Sequence, residues 1–199
     1  MYDEQRELAW LAAPRATFQW IEVNDLQGRC GRGVVTPATI QAESWLAIAG
    51  GATALGFFTN GGPSRPLEPF SVSPDNRTAV AQTSTEIRDL ADVLLSPQVA
   101  AQASAPICIG ARRAGGRTWL IAVNPTPERV TATVTSPGFG DGKADVWREV
   151  RTVPVHADSF TDTFDPLAVH VYGLSETVLG SPAPTAADEP QPMRRHRRR

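Results

Sequence analysis

The side chain best placed to do chemistry is Glu22, which stands near the end of an apolar run, Thr17-Phe-Gln-Trp-Ile-Glu-Val23. A carboxylate in such a run costs free energy on burial unless it is paired or used. Side chains alternate along a strand, so Phe18, Trp20, Glu22 and Asn24 share one face. A carboxylate at the end of that row can attack an electrophile or move a proton, with an indole one layer below it. A second reading stands beside the first: Glu22 pairs with an arginine such as Arg29 or Arg32, and Trp20 fills a core. Thr59 and Asn60 close the next apolar run, Ala54-Leu-Gly-Phe-Phe-Thr59, where they line the same site or make a turn.

Other reactive groups form no recognisable constellation. Cys30 and Cys108 make no disulfide framework and lack zinc-ligand spacing. His156 and His170 sit on or beside strand patterns and His196 lies in a basic tail; His170 is expected to pack with its polar tip satisfied. No serine is flanked as in a nucleophile elbow. The run Gly28-Arg-Cys-Gly31-Arg-Gly33 has neither phosphate-loop nor dinucleotide spacing. Asn76-Arg77-Thr78 matches a glycosylation acceptor, at a helix start. No cofactor and no metal are expected.

The chain has 199 residues, of which 41% are apolar and 20% charged. That suffices for a core and excludes a disordered or collagen-like chain. No apolar run approaches the ~18–20 residues of a transmembrane helix, and the acidic start Met-Tyr-Asp-Glu is not a secretory signal. The compartment is therefore open. The net charge of −2 conceals five arginines between Arg194 and Arg199; without them 14 basic residues face 21 acidic ones, a balance of −7. Such a body carries no electrostatic footprint for nucleic acid.

Three segments follow from the pattern. Residues 1–97 alternate helix and strand signals, residues 98–174 read as short strands between turns, and residues 175–199 are Pro/Ala-rich and then Arg-rich, as in a disordered tail. In the first, a helix over Asp3 to Ala12 carries Leu8 and Leu11 on one side. Thr36-Pro37 opens a helix with Ile40, Ser44, Ala47 and Ile48 on one side, and Gly50-Gly51 stops it. Ser73-Pro74 opens another, with Val80, Ile87, Leu90 and Leu94 in one stripe, ending at Ser96-Pro97. This order implies parallel strands with right-handed crossovers, about two and a half βα units. In the second segment Ala114-Gly-Gly-Arg117 marks a hairpin, and Lys143 to Val155 has room for one long or bent strand. Five or so strands there suggest a small antiparallel sandwich.

Several pieces together resemble the last βα units of (β/α)8-barrel glycoside hydrolases and the β-sandwich that follows them. They are Phe18-Gln-Trp-Ile-Glu22, Thr36-Pro37 with Glu43-Ser44-Trp45, and Gly51-Ala-Thr-Ala-Leu-Gly-Phe57. The sandwich part rests on Trp119-Leu-Ile-Ala-Val-Asn124-Pro125 and on Phe160-Thr-Asp162-Thr-Phe164 before Val169-His170-Val171-Tyr172. The resemblance implies an α/β plus all-β chain: a partial (β/α)8 barrel followed by a small antiparallel β-sandwich. It implies carbohydrate as partner, with Glu22 at the position of the nucleophile and Trp20, Asn24, Thr59 and Asn60 beside the substrate. Its acid/base partner lies on an earlier strand not found in this sequence, and a retaining mechanism needs two carboxyls ~5–5.5 Å apart. This chain alone is therefore expected to be inactive until an N-terminal barrel segment completes it. Relatives of this type are often exported. The alternative is a non-catalytic carbohydrate-binding or structural β-sandwich module, with Trp119 or Trp147 as its platform or in its core.

Overall fold

The computed structural model describes residues 1–24, 35–59 and 72–175. The Gly28–Gly33 loop, Cys30, Arg29, Arg32, Asn60 and the whole C-terminal tail with His196 lie outside the described residues.

The N-terminal segment follows the expected order: α1 (Tyr2–Ala12), β1 (Phe18–Glu22), α2 (Pro37–Ala49), β2 (Ala54–Phe58), α3 (Pro74–Asp89) and the short α4 (Ala91–Leu94). Local signals set these ends. Thr36 and Thr39 form a capping box, the Thr36 hydroxyl accepting from Thr39 N at 3.2 Å and the Thr39 hydroxyl from Thr36 N at 2.8 Å. Ser73 caps α3 by accepting from Asn76 N at 3.1 Å. Strands β1 and β2 pair in parallel, Phe18 opposite Ala54 and Glu22 opposite Phe58.

Helix α2 is buried almost all round, which its near-uniform apolar composition requires. Ile40 and Ala47 pack under β1 with Ile21 and Val23. Ala42, Trp45, Leu46 and Ala49 pack on the opposite side against Ile121, Val123 and Val171 of the C-terminal strands. The expected single stripe of Ile40, Ser44, Ala47 and Ile48 is thus half of what is buried.

In α1, Leu8 and Leu11 share one side, and that side is not the one that packs. Both point outward, and the helix is seated by its other side: Gln5 is buried and donates to the Thr17 hydroxyl at 3.0 Å, and the Tyr2 hydroxyl donates to Ile109 O at 2.5 Å. Gly50 permits this seating, because a Cβ there would stand 2.9 Å from Tyr2 O.

The rest of the described chain is antiparallel sheet. One sheet runs β4 (Cys108–Ala114), β5 (Arg117–Val123), β10 (Val169–Ser175), β7 (Gly142–Val146), β8 (Arg151–Val155). The other runs β3 (Gln102–Ala103), β6 (Val130–Thr135), β9 (Ser159–Phe164). Leu120, Tyr172, Leu174, Val146 and Val153 of the first meet Ala132, Val134, Phe160 and Phe164 of the second in one core. The β4–β5 turn is made by Gly115 and Gly116, at φ 59° and 70°, as the hairpin signal indicates.

Lys143 to Val155 is two strands, not one. Trp147 N still donates to Val171 O at 2.7 Å, and then the chain reverses, with Glu149 N bonding back to Val146 O at 3.1 Å. No glycine or proline marks this turn. Arg148 takes φ 60°, and its guanidinium is held by Asp89 of α3 at 2.6 Å and lies 4.6 Å over the Trp147 ring.

Candidate functional site

The helical layer decides which way β1 faces. Ile21 and Val23 are fully buried against α2, so Phe18, Trp20 and Glu22 must lie on the other side of the sheet. Phe58 of β2 joins them. This face is open: Phe18, Trp20 and Phe58 are 45%, 59% and 38% exposed. The Trp20 ring meets Phe18 edge-on at 4.9 Å and Phe58 at 6.4 Å. Between them β2 carries Gly56, where a Cβ would come within 2.6 Å of the Trp20 ring. The bare backbone at that position is what lets the rings lie down over the sheet.

Glu22 is half-buried at the C-terminal end of β1, at the end of this aromatic row. The structure therefore brings Glu22 and Trp20 to one face. Asn24 is placed differently from the row expected of it. Its side chain is buried, and its Nδ2 donates to Thr59 O at 2.7 Å, tying the ends of the two strands together. The Thr59 side chain stays exposed.

One contributor carried no usable sequence signal. Asn76 of α3 is buried, and its Nδ2 donates to both Val23 O and Val35 O at 3.1 Å. It joins the two ends of the segment that follows Glu22. The glycosylation reading of Asn76-Arg77-Thr78 is overturned by this, because the amide nitrogen that would carry a glycan is buried and in use.

A second polar cluster lies in the antiparallel sheets. Arg151 donates to Glu149 at 2.6 Å and to Asp162 at 2.8 Å. The Tyr172 hydroxyl donates to Asp162 at 2.7 Å, and His170 Nδ1 donates to Glu149 at 2.5 Å. His170 packs on Phe164, ring centres 4.9 Å apart, with its polar tip bonded. The cluster joins β8, β9 and β10, and nothing in it has the geometry of an activated nucleophile. Burial raises the Asp162 carboxyl, but the bonds from Tyr172, Arg151 and Thr163 N more than reverse this and hold it below the ordinary range. The Asp158 carboxylate is likewise lowered, chiefly by the Gly140 N–H. A lowered folded value means stability that is complete above the unfolded carboxylate value, ~3.9, and lost as pH falls through the folded one. The melting temperature is expected to fall progressively below about pH 4, and Asp162→Asn should flatten that fall while lowering the neutral-pH value. Thermal melts by circular dichroism at stepped pH check this; a wild-type melting temperature level down to pH 2 contradicts it.

Trp119 and Trp147 both pack against the helical layer. Each has a guanidinium over one ring face, Arg117 at 5.5 Å and Arg148 at 4.6 Å. Neither forms an open platform. Among the described residues no group of three metal-ligating side chains converges, Cys108 is a free thiol, and no helix is long and apolar enough to cross a membrane.

No family profile and no curated protein matches the sequence. Solved structures do match the fold. The α-amylase from Geobacillus thermoleovorans, solved with acarbose, aligns over 87% of this chain with a TM-score of 0.64 and 12% identity. The Anoxybacillus α-amylase aligns over 81% at TM-score 0.56 and 12% identity, and the maltogenic α-amylase AmyB from Thermotoga neapolitana over 85% at 0.55 and 12%. The chain has a glycoside hydrolase-like fold. It spans only 42%, 38% and 46% of those three chains. Within this glycoside hydrolase-like fold, Glu22 is the one acidic residue of β1 and β2. Among the described residues, the face it closes carries three aromatic rings and one strand carboxylate.

Proposed function

We propose that this chain is the C-terminal portion of a glycoside hydrolase acting on carbohydrate. Residues 1–97 are the last βα units of a (β/α)8 barrel, residues 98–174 its β-sandwich, and residues 175–199 a tail. Glu22 is the nucleophile, with Trp20, Asn24, Thr59 and Asn60 around the substrate. The observation that carries this reading is the parallel β1–β2 pair with Glu22 at a strand's C-terminal end, where barrel active sites are built. Barrel completion is supported by what lies open around that pair. Within the described residues the sheet has only two strands. Leu8, Leu11 and Leu95 are exposed, and an apolar groove of about 260 Å³ runs between β2 and α3–α4, lined by Leu55, Phe57, Ile87 and Leu94. The chain alone is inactive, since one carboxylate cannot act as both nucleophile and proton donor.

The test begins with the native product. An immunoblot raised against residues 105–174 should show a band well above the 21.4 kDa of this chain. In that larger product Glu22→Gln should lower glycoside hydrolysis by about a thousandfold or more, the scale of removing a group that forms the covalent intermediate. Hydrolysis by the short chain alone, or an unchanged rate in Glu22→Gln, overturns the assignment.

A further inference from the structure

We infer that the groove between α1 and the chain entering β4 is a second saccharide-binding site, separate from the β1–β2 face, which takes a neutral oligosaccharide on Trp10. The choice of a saccharide rests on the carbohydrate reading above; the groove itself uses none of the residues around Glu22. Its volume is about 850 Å³, inside the ~300–1,000 Å³ range of small-molecule sites. Tyr2, Arg6 and Trp10 line it from α1, Gln98 and Gln102 from the opposite wall, and Arg112 from the floor.

Trp10 is 78% exposed, the most exposed aromatic side chain among the described residues. It does not stand on a loose helix. The Tyr2 hydroxyl bonds to Ile109 O, Gln5 bonds to Thr17, and Gly50 and Gly51 bring the backbone against α1 too closely for side chains, so the groove wall is fixed in place. An indole on a rigid wall opposite two exposed carboxamides is the combination a sugar needs. Its C–H face stacks on the ring, and its hydroxyls pair with carboxamides, which both give and take hydrogen bonds, and with a guanidinium, which only gives them.

The lining also selects the charge. It contains no aspartate or glutamate, so a cation finds no counter-charge. Arg112, the buried cation on the floor, already donates to Leu94 O, Ala111 O and Ile48 O, and these carbonyls satisfy it in place of an anionic ligand. The other cation, Arg6, lies over the Tyr2 ring at 5.5 Å on the wall, where it can donate to the hydroxyls of a neutral ligand.

The purified chain is titrated with maltoheptaose, cellohexaose and xylohexaose by calorimetry and by indole fluorescence. At least one of them is expected to bind saturably, at least tenfold more weakly to Trp10→Ala, with partial recovery in Trp10→Phe and no change in Val150→Ala, an exposed side chain outside both sites. Trp10 is exposed, so the variant should melt with the parent. Absence of binding by all three overturns the site. Binding lost in Trp20→Ala but kept in Trp10→Ala also overturns it, while leaving the barrel reading intact. That reading fails separately, through the Glu22→Gln assay.

Discussion

Trp45→Ala is expected to destabilise the whole described fold by about 3–5 kcal/mol, the range for removing a large buried aromatic. Trp45 is 1% exposed and packs in a cluster that draws residues from α2, from the α3–α4 region and from β5 and β10. Its indole N–H has no hydrogen-bond partner, so what it contributes is packing. The loss is a large share of the ~5–15 kcal/mol that holds a typical domain together. Because the cluster spans both halves of the chain, one cooperative transition should shift as a unit. Urea unfolding followed at a helix-weighted and a strand-weighted ellipticity checks this. If the helix signal moves and the strand signal stays, the halves are independent and α2 is not the joint between them.

Arg112→Met is expected to cost about 3 kcal/mol, since hydrogen bonds from a charged donor are worth ~1.5–3 kcal/mol each. The Arg112 guanidinium is 3% exposed and reaches three backbone oxygens: Leu94 O and Ala111 O at 3.1 Å, and Ile48 O at 3.4 Å. Ile48 lies in the last turn of α2, at the negative end of the dipole, and its carbonyl also accepts from Gly51 N at 2.9 Å. Burial pushes the guanidinium down from its ordinary value, yet it stays charged at any pH the fold survives. Arg112→Lys should recover only part of the loss, because an ammonium on a single stem cannot fork to carbonyls on separate elements. Combined with Trp45→Ala the losses should sum to less than their separate values, since both side chains secure α2 to the sheet. A loss under 1 kcal/mol in Arg112→Met contradicts the clamp.

These two residues also mark where sequence reading stops. The start and end of α2 are legible because Thr36, Pro37, Thr39 and Gly50 act on backbone groups within a few residues of themselves. The same holds for Ser73-Pro74 and for Gly115-Gly116. Strand β1 is legible as a strand, and alternation alone places Trp20 and Glu22 on one face. The second face of α2 is not legible. An all-round apolar helix says that it is buried, not by what, and the partners Ile121, Val123 and Val171 lie more than 70 residues away in sequence. For the same reason the Leu-Ile-Ala-Val run of β5 reads as one side of a sandwich, whereas its alternate residues fill two cores. Leu120 and Ala122 face one and Ile121 and Val123 the other.

The amino-acid sequence by itself determined the local elements, their order, the acidic body and the row that carries Glu22, because each depends on neighbours along the chain. Only the tertiary structure decided that Leu8 and Leu11 face outward and that Asn24 and Asn76 tie backbone rather than stand free. It also decided that the chain reverses at Arg148. These outcomes turn on hydrogen bonds and packing to distant segments: Gln5 to Thr17, Asn76 to Val23 and Val35, Arg148 to Asp89. A side chain's choice between solvent and such a partner is settled by where the rest of the chain brings that partner.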